Sequence, residues 1–157
     1  MEHKRQTITP SLTVKNADAA IAFYEKAFGA KVDGYVMRGQ SGGIMHAELL
    51  FGEMKIFIND EFPEMGARSP QHYGGTPVSI NLAVENCDKV YATAVAAGAT
   101  SRMQPMDAFW GDRYAYVVDP FGHGWGIDEP RENLTQEQIK ERAEQFVKQQ
   151  QKQPVSK

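Results

Sequence analysis

The chain repeats itself. At an offset of 70 residues, Leu12, Val14, Asn16, Asp18, Ala22 and Ala27 recur as Leu82, Val84, Asn86, Asp88, Ala92 and Ala97, and Gly52 recurs as Gly122. A repeat of this length restricts the fold sharply, because one unit is too small to bury both of its faces and must pack on its twin. The identities alone are few. They carry weight because the hydropathy pattern recurs with them.

In the first copy, apolar Ile8, Leu12 and Val14 alternate with small polar Thr9, Ser11 and Thr13. That is the period of a half-buried strand, with the apolar face toward a helix and the polar face toward a cavity. Asn16 is placed to cap a helix N-terminus with its side-chain oxygen. Ile21, Tyr24 and Phe28 form the apolar stripe of that helix, with Ala20, Phe23 and Ala27 beside it, and Gly29 stops it. In the second copy Val78, Ile80, Leu82 and Val84 alternate with Ser79 and Asn81. Asn86 caps, Val90, Tyr91, Ala94 and Val95 make the stripe, and Gly98 stops it.

Strands are predicted after each helix, over 31–38, 43–51 and 54–59, then over 101–107, 113–119 and 124–128. Asp119, Pro120, Phe121 and Gly122 are a strong turn signal before the last strand, and residues 50–53 are the weaker counterpart. The predicted fold class is α+β, a single domain of two tandem βαβββ modules whose curled mixed sheets lie side by side or across a dimer. Module one spans about 7–60, a linker 61–76, module two about 77–129, and a further helix about 135–148. The Pro- and Gly-rich linker carries Phe62, Met65, His72 and Tyr73. It reads as a lid over a ligand or as a loop clipped onto a dimer. The last helix opens with a capping box, Thr135 to Gln138, and Leu134 is placed to staple to Ile139. Its stripe is Ile139, Ala143, Phe146 and Val147, and residues 149–157 are expected to fray.

Charge and cysteine usage exclude several function classes. The formal net charge of −3 is the wrong sign for a nucleic-acid binder. The single cysteine, Cys87, excludes an intrachain disulfide and a multi-cysteine zinc site, and suits a reducing cytosol. Polar residues 1–6 lack the apolar stretch of a signal peptide, and no apolar run is long enough to span a bilayer. The expected location is cytoplasmic, with no membrane or nucleic-acid partner.

Residues 16–24 with Phe28, Gly29 and Ala30 resemble the first-helix signature of the glyoxalase/bleomycin-resistance/dioxygenase (vicinal oxygen chelate) superfamily. Residues 45–49 (Met45 to Leu49), 109–113 (Phe109 to Arg113) and 119–125 (Asp119 to Trp125) resemble its PhnB-like branch, and the likeness covers about 8–128. The resemblance implies a homodimer. In the superfamily's enzymes it also implies a divalent metal held by His, Gln or Glu from strands one, four, five and eight, gripping two vicinal substrate oxygens. Carried across by spacing, those positions fall on Thr9, on Phe57 or Ile58, on Ser79 and on Gly126. A slip of one residue gives Pro10 or Ile80. None is a good ligand for a transition metal, so no cofactor is expected.

His46 and Glu48, two apart on a strand, share a face as a metal or acid–base pair or as a plain hydrogen-bonded couple. A catalytic zinc would need a third ligand, with His72 or His123 available. His123 reads as structural, its ring nitrogens bonded to backbone, and Trp125 as core. Phe109, Trp110, Asp112 and Arg113 form either a structural corner or a rim where aromatics stack on a ligand and Arg113 binds an anionic group. Tyr114 and Tyr116 share the next strand face. Thr9, Ser11, Ser79 and Asn81 read as a hydrogen-bonding pocket wall, and Phe62 as a lid contact. Cys87 follows an N-cap, where the helix dipole lowers a thiol pKa, but no partner base accompanies it. No phosphate loop follows Gly39, Gly42 and Gly43, and no serine sits in a nucleophile elbow.

Three functions remain open from sequence. The leading one is a metal-independent small-molecule-binding protein that sequesters an aromatic or drug-like ligand. The second is a lyase, isomerase or dioxygenase with a relocated divalent metal at His46 and Glu48. The third is a scaffold or partner-binding module that uses the last helix.

Overall fold

The computed structural model describes residues 7–151, so the expectations for residues 1–6 and 152–157 lie outside it. The first module runs β1 (Ser11–Val14), α1 (Ala17–Phe28), β2 (Lys31–Arg38), β3 (Ile44–Phe51) and β4 (Met54–Asp60). A connecting strap follows, with a 3-10 turn (Pro63–Met65) and one short helix, α2 (Pro70–Tyr73). The second module repeats the order as β5 (Ser79–Ala83), α3 (Cys87–Ala96), β6 (Thr100–Asp107), β7 (Asp112–Val118) and β8 (Gly124–Pro130). A final helix, α4, spans Gln136–Gln150.

The two sheets have matching topology, β1-β4-β3-β2 and β5-β8-β7-β6. In each, the first strand joins the last in parallel and the remaining pairs are antiparallel. Both sheets are therefore mixed and open, and neither closes into a barrel. Helices α1 and α3 pack on their own sheets and against each other. The α+β class and the two-module architecture expected from sequence are observed.

The capping chemistry explains why both helices start where they do. Asn16 accepts from the Ala19 N–H at 3.0 Å and Asn86 from the Lys89 N–H at 2.8 Å. Each first-turn N–H of residues 17 and 87 also reaches a carboxylate at the end of the module's last strand: Asp60 at 2.7 Å and Glu129 at 2.9 Å. The next residue of each helix, Asp18 or Asp88, holds an arginine in a bidentate pair: Arg38 and Arg113.

Three strand or helix expectations need correction. Ile8 is 88% exposed and Val78 is 67% exposed, so neither meets a helix. Both lie just outside their strands, each separated from the paired run by or adjoining a proline, Pro10 or Pro77, which cannot donate to a ladder. Val95, placed in the α3 stripe, is exposed instead, while Gly98 stops the helix as expected, at φ 118° with its N–H on the Val95 carbonyl and the Ala99 N–H on the Ala94 carbonyl. Trp125 is core as expected, fully buried between the modules. It stands 4.8 Å from Phe28, 5.3 Å from Tyr24 and 5.5 Å from Phe51 between ring centroids.

One buried carboxylate ties these aromatics together. Asp119, 4% exposed, accepts from the Tyr24 hydroxyl at 2.6 Å and the Trp125 indole N–H at 2.8 Å. Its other oxygen accepts the backbone N–H groups of Phe121 and His123 at 2.8 and 2.9 Å. The Tyr24 bond crosses from one module to the other. Tyr24→Phe leaves the packing in place and removes one donor from a buried charge. The expected loss is about 1–3 kcal/mol. It should show in urea as a lowered midpoint with an unchanged slope; an unmoved midpoint would mean that this bond does not hold the modules.

Candidate functional site

Strand alternation builds the inner face of the second sheet. Tyr114, Tyr116 and Val118 of β7 lie opposite Asp128, Gly126 and Gly124 of β8. The glycines leave room for the tyrosine rings to lie down. A Cβ at Gly124 would stand 1.9 Å from the Tyr116 hydroxyl oxygen, and one at Gly126 would stand 2.0 Å from the Asn81 amide oxygen and 2.8 Å from the Tyr114 hydroxyl. Burial, with help from the charge of Asp128, raises the Tyr114 pKa, so its phenol stays protonated at neutral pH. On the next strand Met106 pairs with Tyr114 and Met103 with Tyr116.

Past the end of this face lies an aromatic corner. Gly111 turns the chain at φ 103°, and Leu134 and Glu132 pack over it. The corner presents Phe109 and Trp110 edge-to-face at 5.0 Å, Trp110 against Tyr114 at 5.7 Å, and Phe109 against Phe146 of α4 at 5.5 Å. Together with Met103 and Met106 they line a cleft of about 330 Å³. Sequence reasoning places Phe109 and Trp110 on one rim with Asp112 and Arg113, and Tyr114 with Tyr116 on the next strand face, as pocket lining or core. It missed Met103 and Met106, which lie on an irregular strand with register shifts. It read Phe146 only as helix stripe.

A second cleft, of about 470 Å³, follows the seam between the modules. Pro10, Ser11 and Leu12 of the first module face Thr76, Val78, Ser79 and Ile80 of the second, with His123 and Gly124 lining it as well. The structure thus brings Ser11 and Ser79 together. Thr9 lies before β1 and does not line this cleft, and Asn81 sits further along, over Gly126. His123 departs from expectation. Its ring nitrogen Nδ1 is buried without a hydrogen-bond partner, 3.9 Å from Asp119, and the ring is not tied to backbone. Burial lowers its pKa, against the pull of Asp119.

His46 and Glu48 share the inner face of the first sheet, 3.5 Å apart, with His46 edge-on to Phe57 at 4.9 Å. Glu48 is also engaged by the Lys55 ammonium, which reaches Asp33 at 2.9 Å. The Lys55 hydrogen bond holds the Glu48 carboxyl below the usual glutamate range. A cation bound at His46 and Glu48 would have to displace Lys55. Phe62 does not reach any of these clefts. It bridges to Ala67 and lies near Gly43 and Asp60.

Two readings are corrected by charge placement. Arg113 points to the helix side, where Asp88 holds it at 2.6 and 2.8 Å and Asp107 at 3.1 Å. Its donors are therefore committed to the structural alternative, with Asp88 and Asp107 as partners, and not to a ligand. Cys87 is buried and donates to the Ile127 carbonyl at 3.3 Å. Burial and neighbouring carboxylates push its thiol up to about 11, opposite to the direction expected at a helix N-terminus.

The four positions where the resemblance places a metal fit one poorly. Gly126 has no side chain, and the Asn81 amide and Tyr114 phenol occupy the space where one would project. Ile58 is buried in the core, Phe57 lies beside His46, and Thr9 and Ser79 offer only hydroxyls. Among the described residues no three His, Cys, Asp or Glu side chains are grouped to hold a metal. No described helix is long and apolar enough to cross a membrane.

A family model described as the Glyoxalase/Bleomycin resistance protein/Dioxygenase superfamily matches residues 6–127. The uncharacterised protein Rv0887c of Mycobacterium tuberculosis is 41% identical over 135 residues, covering 84% of this chain and 79% of its own length. Among solved structures, PA1353 from Pseudomonas aeruginosa superposes with TM-score 0.66 at 21% identity, over 82% of this chain and all of that one. A PhnB protein from Bacillus cereus gives 0.60 at 18% identity, over 79% and 99%. At these identities the two structures speak for the fold.

The buried His123 gives the site a pH signature. Its pKa is depressed by folding, so the unfolded chain binds the proton more tightly. Its stabilising contribution is complete above the ordinary histidine value of 6.5 and is lost as pH falls below it. Between pH 6.5 and 5 the thermal midpoint should drop in the parent protein and drop less in His123→Gln. Parallel slopes would show that His123 takes its proton freely in the fold.

Proposed function

Since the chain belongs to the Glyoxalase/Bleomycin resistance protein/Dioxygenase superfamily, we propose that it is a metal-independent small-molecule-binding protein of the PhnB-like branch. Its ligand is aromatic or drug-like and seats on Trp110, Tyr114, Phe109 and the two methionines. The carrying observation is the convergence of four chain segments on that cleft: strand β6, the 108–110 corner, strand β7 and helix α4. Edge-to-face aromatics beside flexible methionines suit a flat apolar body, and methionine adapts to its outline. The poor fit of the four metal positions supports binding without a metal. The motifs at residues 45–49, 109–113 and 119–125 support the branch.

The working form is a homodimer. Val32, Tyr35 and Met37 on β2, and Met103 and Met106 on β6, leave apolar side chains exposed along both outer strands. A second copy of the chain covers such edges by pairing the first module of one protomer with the second module of its partner.

Saturable binding of planar aromatic compounds should quench Trp110 fluorescence, with Trp125 as the buried internal reference. Trp110→Ala should weaken binding at least about tenfold and leave the thermal midpoint nearly unchanged. No saturable ligand in an aromatic library, or equal affinity in the variant, overturns the reading. Elemental analysis of tag-free protein should find no stoichiometric transition metal, before or after incubation with Zn²⁺, Ni²⁺, Mn²⁺ and Fe²⁺. A stoichiometric metal lost in His46→Ala and Glu48→Ala would put the enzyme reading first. Sedimentation should give a dimer; a monomer at micromolar concentration removes the partner from the proposal.

A further inference from the structure

Four of the six described arginines of this acidic chain are neutralised by carboxylates. Arg38 pairs with Asp18 at 2.6 Å, Arg113 with Asp88 at 2.6 Å, Arg131 with Glu129 and Arg142 with Glu132 at 2.8 Å. Among the described residues Arg68 and Arg102 have no carboxylate within reach. The nearest polar partner found for Arg68 is a ring nitrogen of His72 at 3.4 Å. These two lie 34 residues apart in sequence (102 minus 68), yet both line clefts that meet at Thr76.

One cleft, of about 300 Å³, holds Arg68 with Ser11, Thr76 and His123. The other, of about 440 Å³, holds Arg102 with Thr76, Tyr116 and Gly124. Both adjoin the seam cleft, which shares Thr76 with each of them, Ser11 and His123 with the first, and Gly124 with the second. The strap that carries Arg68 is held in place. Glu61 accepts from the Ser69 N–H and hydroxyl at 2.7 and 2.6 Å, and the Gln71 amide donates to the Pro120 carbonyl at 3.1 Å. Pro70 packs so closely on Gly122 that a Cβ there would stand 2.9 Å from the proline Cβ.

We propose that the junction around Thr76 is an anion subsite, which takes the carboxylate or phosphoryl end of a small molecule between Arg68 and Arg102. The guanidinium fork matches either group with two parallel hydrogen bonds, and an arginine without an internal counter-charge keeps its donors for a ligand. Hydroxyls of Ser11 and Thr76 supply further donors. His123, 9% exposed, also lines the junction, but its unpartnered Nδ1 is buried 3.9 Å from Asp119 and is not offered to the ligand. Asp119 stands behind it, but four donors already engage that carboxylate. This subsite is separate from the aromatic cleft and does not depend on it.

The test uses the full chain, isotope-labelled, titrated at constant ionic strength with benzoate, inorganic phosphate and neutral benzamide. Benzoate and phosphate should shift the side-chain N–H signals of Arg68 and Arg102 and the Thr76 amide saturably. Benzamide should not. In the Arg68→Gln/Arg102→Gln protein the affinity for phosphate should fall at least about tenfold with the thermal midpoint kept. If the double variant folds poorly, Arg102→Gln alone, at an exposed position, should still weaken phosphate severalfold. Still arginine signals, an equal response to benzamide, or unchanged phosphate affinity in the variants each overturn the subsite. Trp110→Ala should leave phosphate binding untouched, so failure of the aromatic cleft and failure of the anion subsite read out separately.

Discussion

The fold depends on a single buried carboxylate. Asp119 sits in the turn between β7 and β8, yet its donors come from both modules: Tyr24 from α1, Phe121 and His123 from its own turn, and Trp125 from β8. A buried charge is costly unless hydrogen-bonded, and here four donors engage it. That satisfaction is what allows Trp125 to enter the aromatic group of the first module with its indole N–H paired. The module interface is therefore an aromatic plug with a polar anchor, and a sheet that slipped by one residue would lose both.

Much of this was legible because the repeat wrote the same local signals twice. Asn16 and Asn86 cap as read, Gly29 ends α1, Thr135 and Gln138 form the capping box, and the strands fall within a residue of their predicted limits except at the start of β1 and the end of β8. These are short-range effects, decided by neighbours in sequence. What escaped the reading is long-range. The first-turn N–H groups are closed by Asp60 and Glu129, 43 and 42 residues away, and the matching aspartates pair with arginines from non-equivalent strands, Arg38 on β2 and Arg113 on β7. No local pattern marks which of several carboxylates an arginine will meet.

The same distinction separates the site residues. Phe109 and Trp110 stayed together because sequence neighbours on a corner must, and the next strand brings Tyr114 against Trp110. Arg113 left them because alternation sends it to the opposite face, toward α3. Cys87 follows an N-cap, but its environment is set by packing on β8, and burial outweighs the helix dipole. Gly124 and Gly126 flank Trp125 in sequence, and alternation alone places them on the inner face. Only the folded sheet shows why they lack side chains: Tyr116 and Tyr114 need that space.

The geometry also bears on how tightly a site that used no metal, as proposed, would hold a ligand. A metal chelate concentrates much of its binding in one strong contact. Without it, the affinity must come from area and charge. Burying one aromatic ring system of about 150–250 Å² is worth about 4–6 kcal/mol before the cost of association. On its own that corresponds, at best, to a dissociation constant from about one millimolar down to about 40 micromolar. A charge-assisted hydrogen-bonded contact of about 1.5–3 kcal/mol would improve this by roughly ten- to a hundredfold. The inner face of the second sheet has the layout for such a sum. The Trp110 and methionine cleft meets Tyr114, Tyr116 lies two residues further along the same strand face, and Tyr116 lines the cleft of Arg102. Successive same-face residues on a strand are about 7 Å apart, roughly the length of one aromatic ring with its substituent. A ligand that is flat at one end and anionic at the other could then meet both contacts without crossing to another face of the molecule.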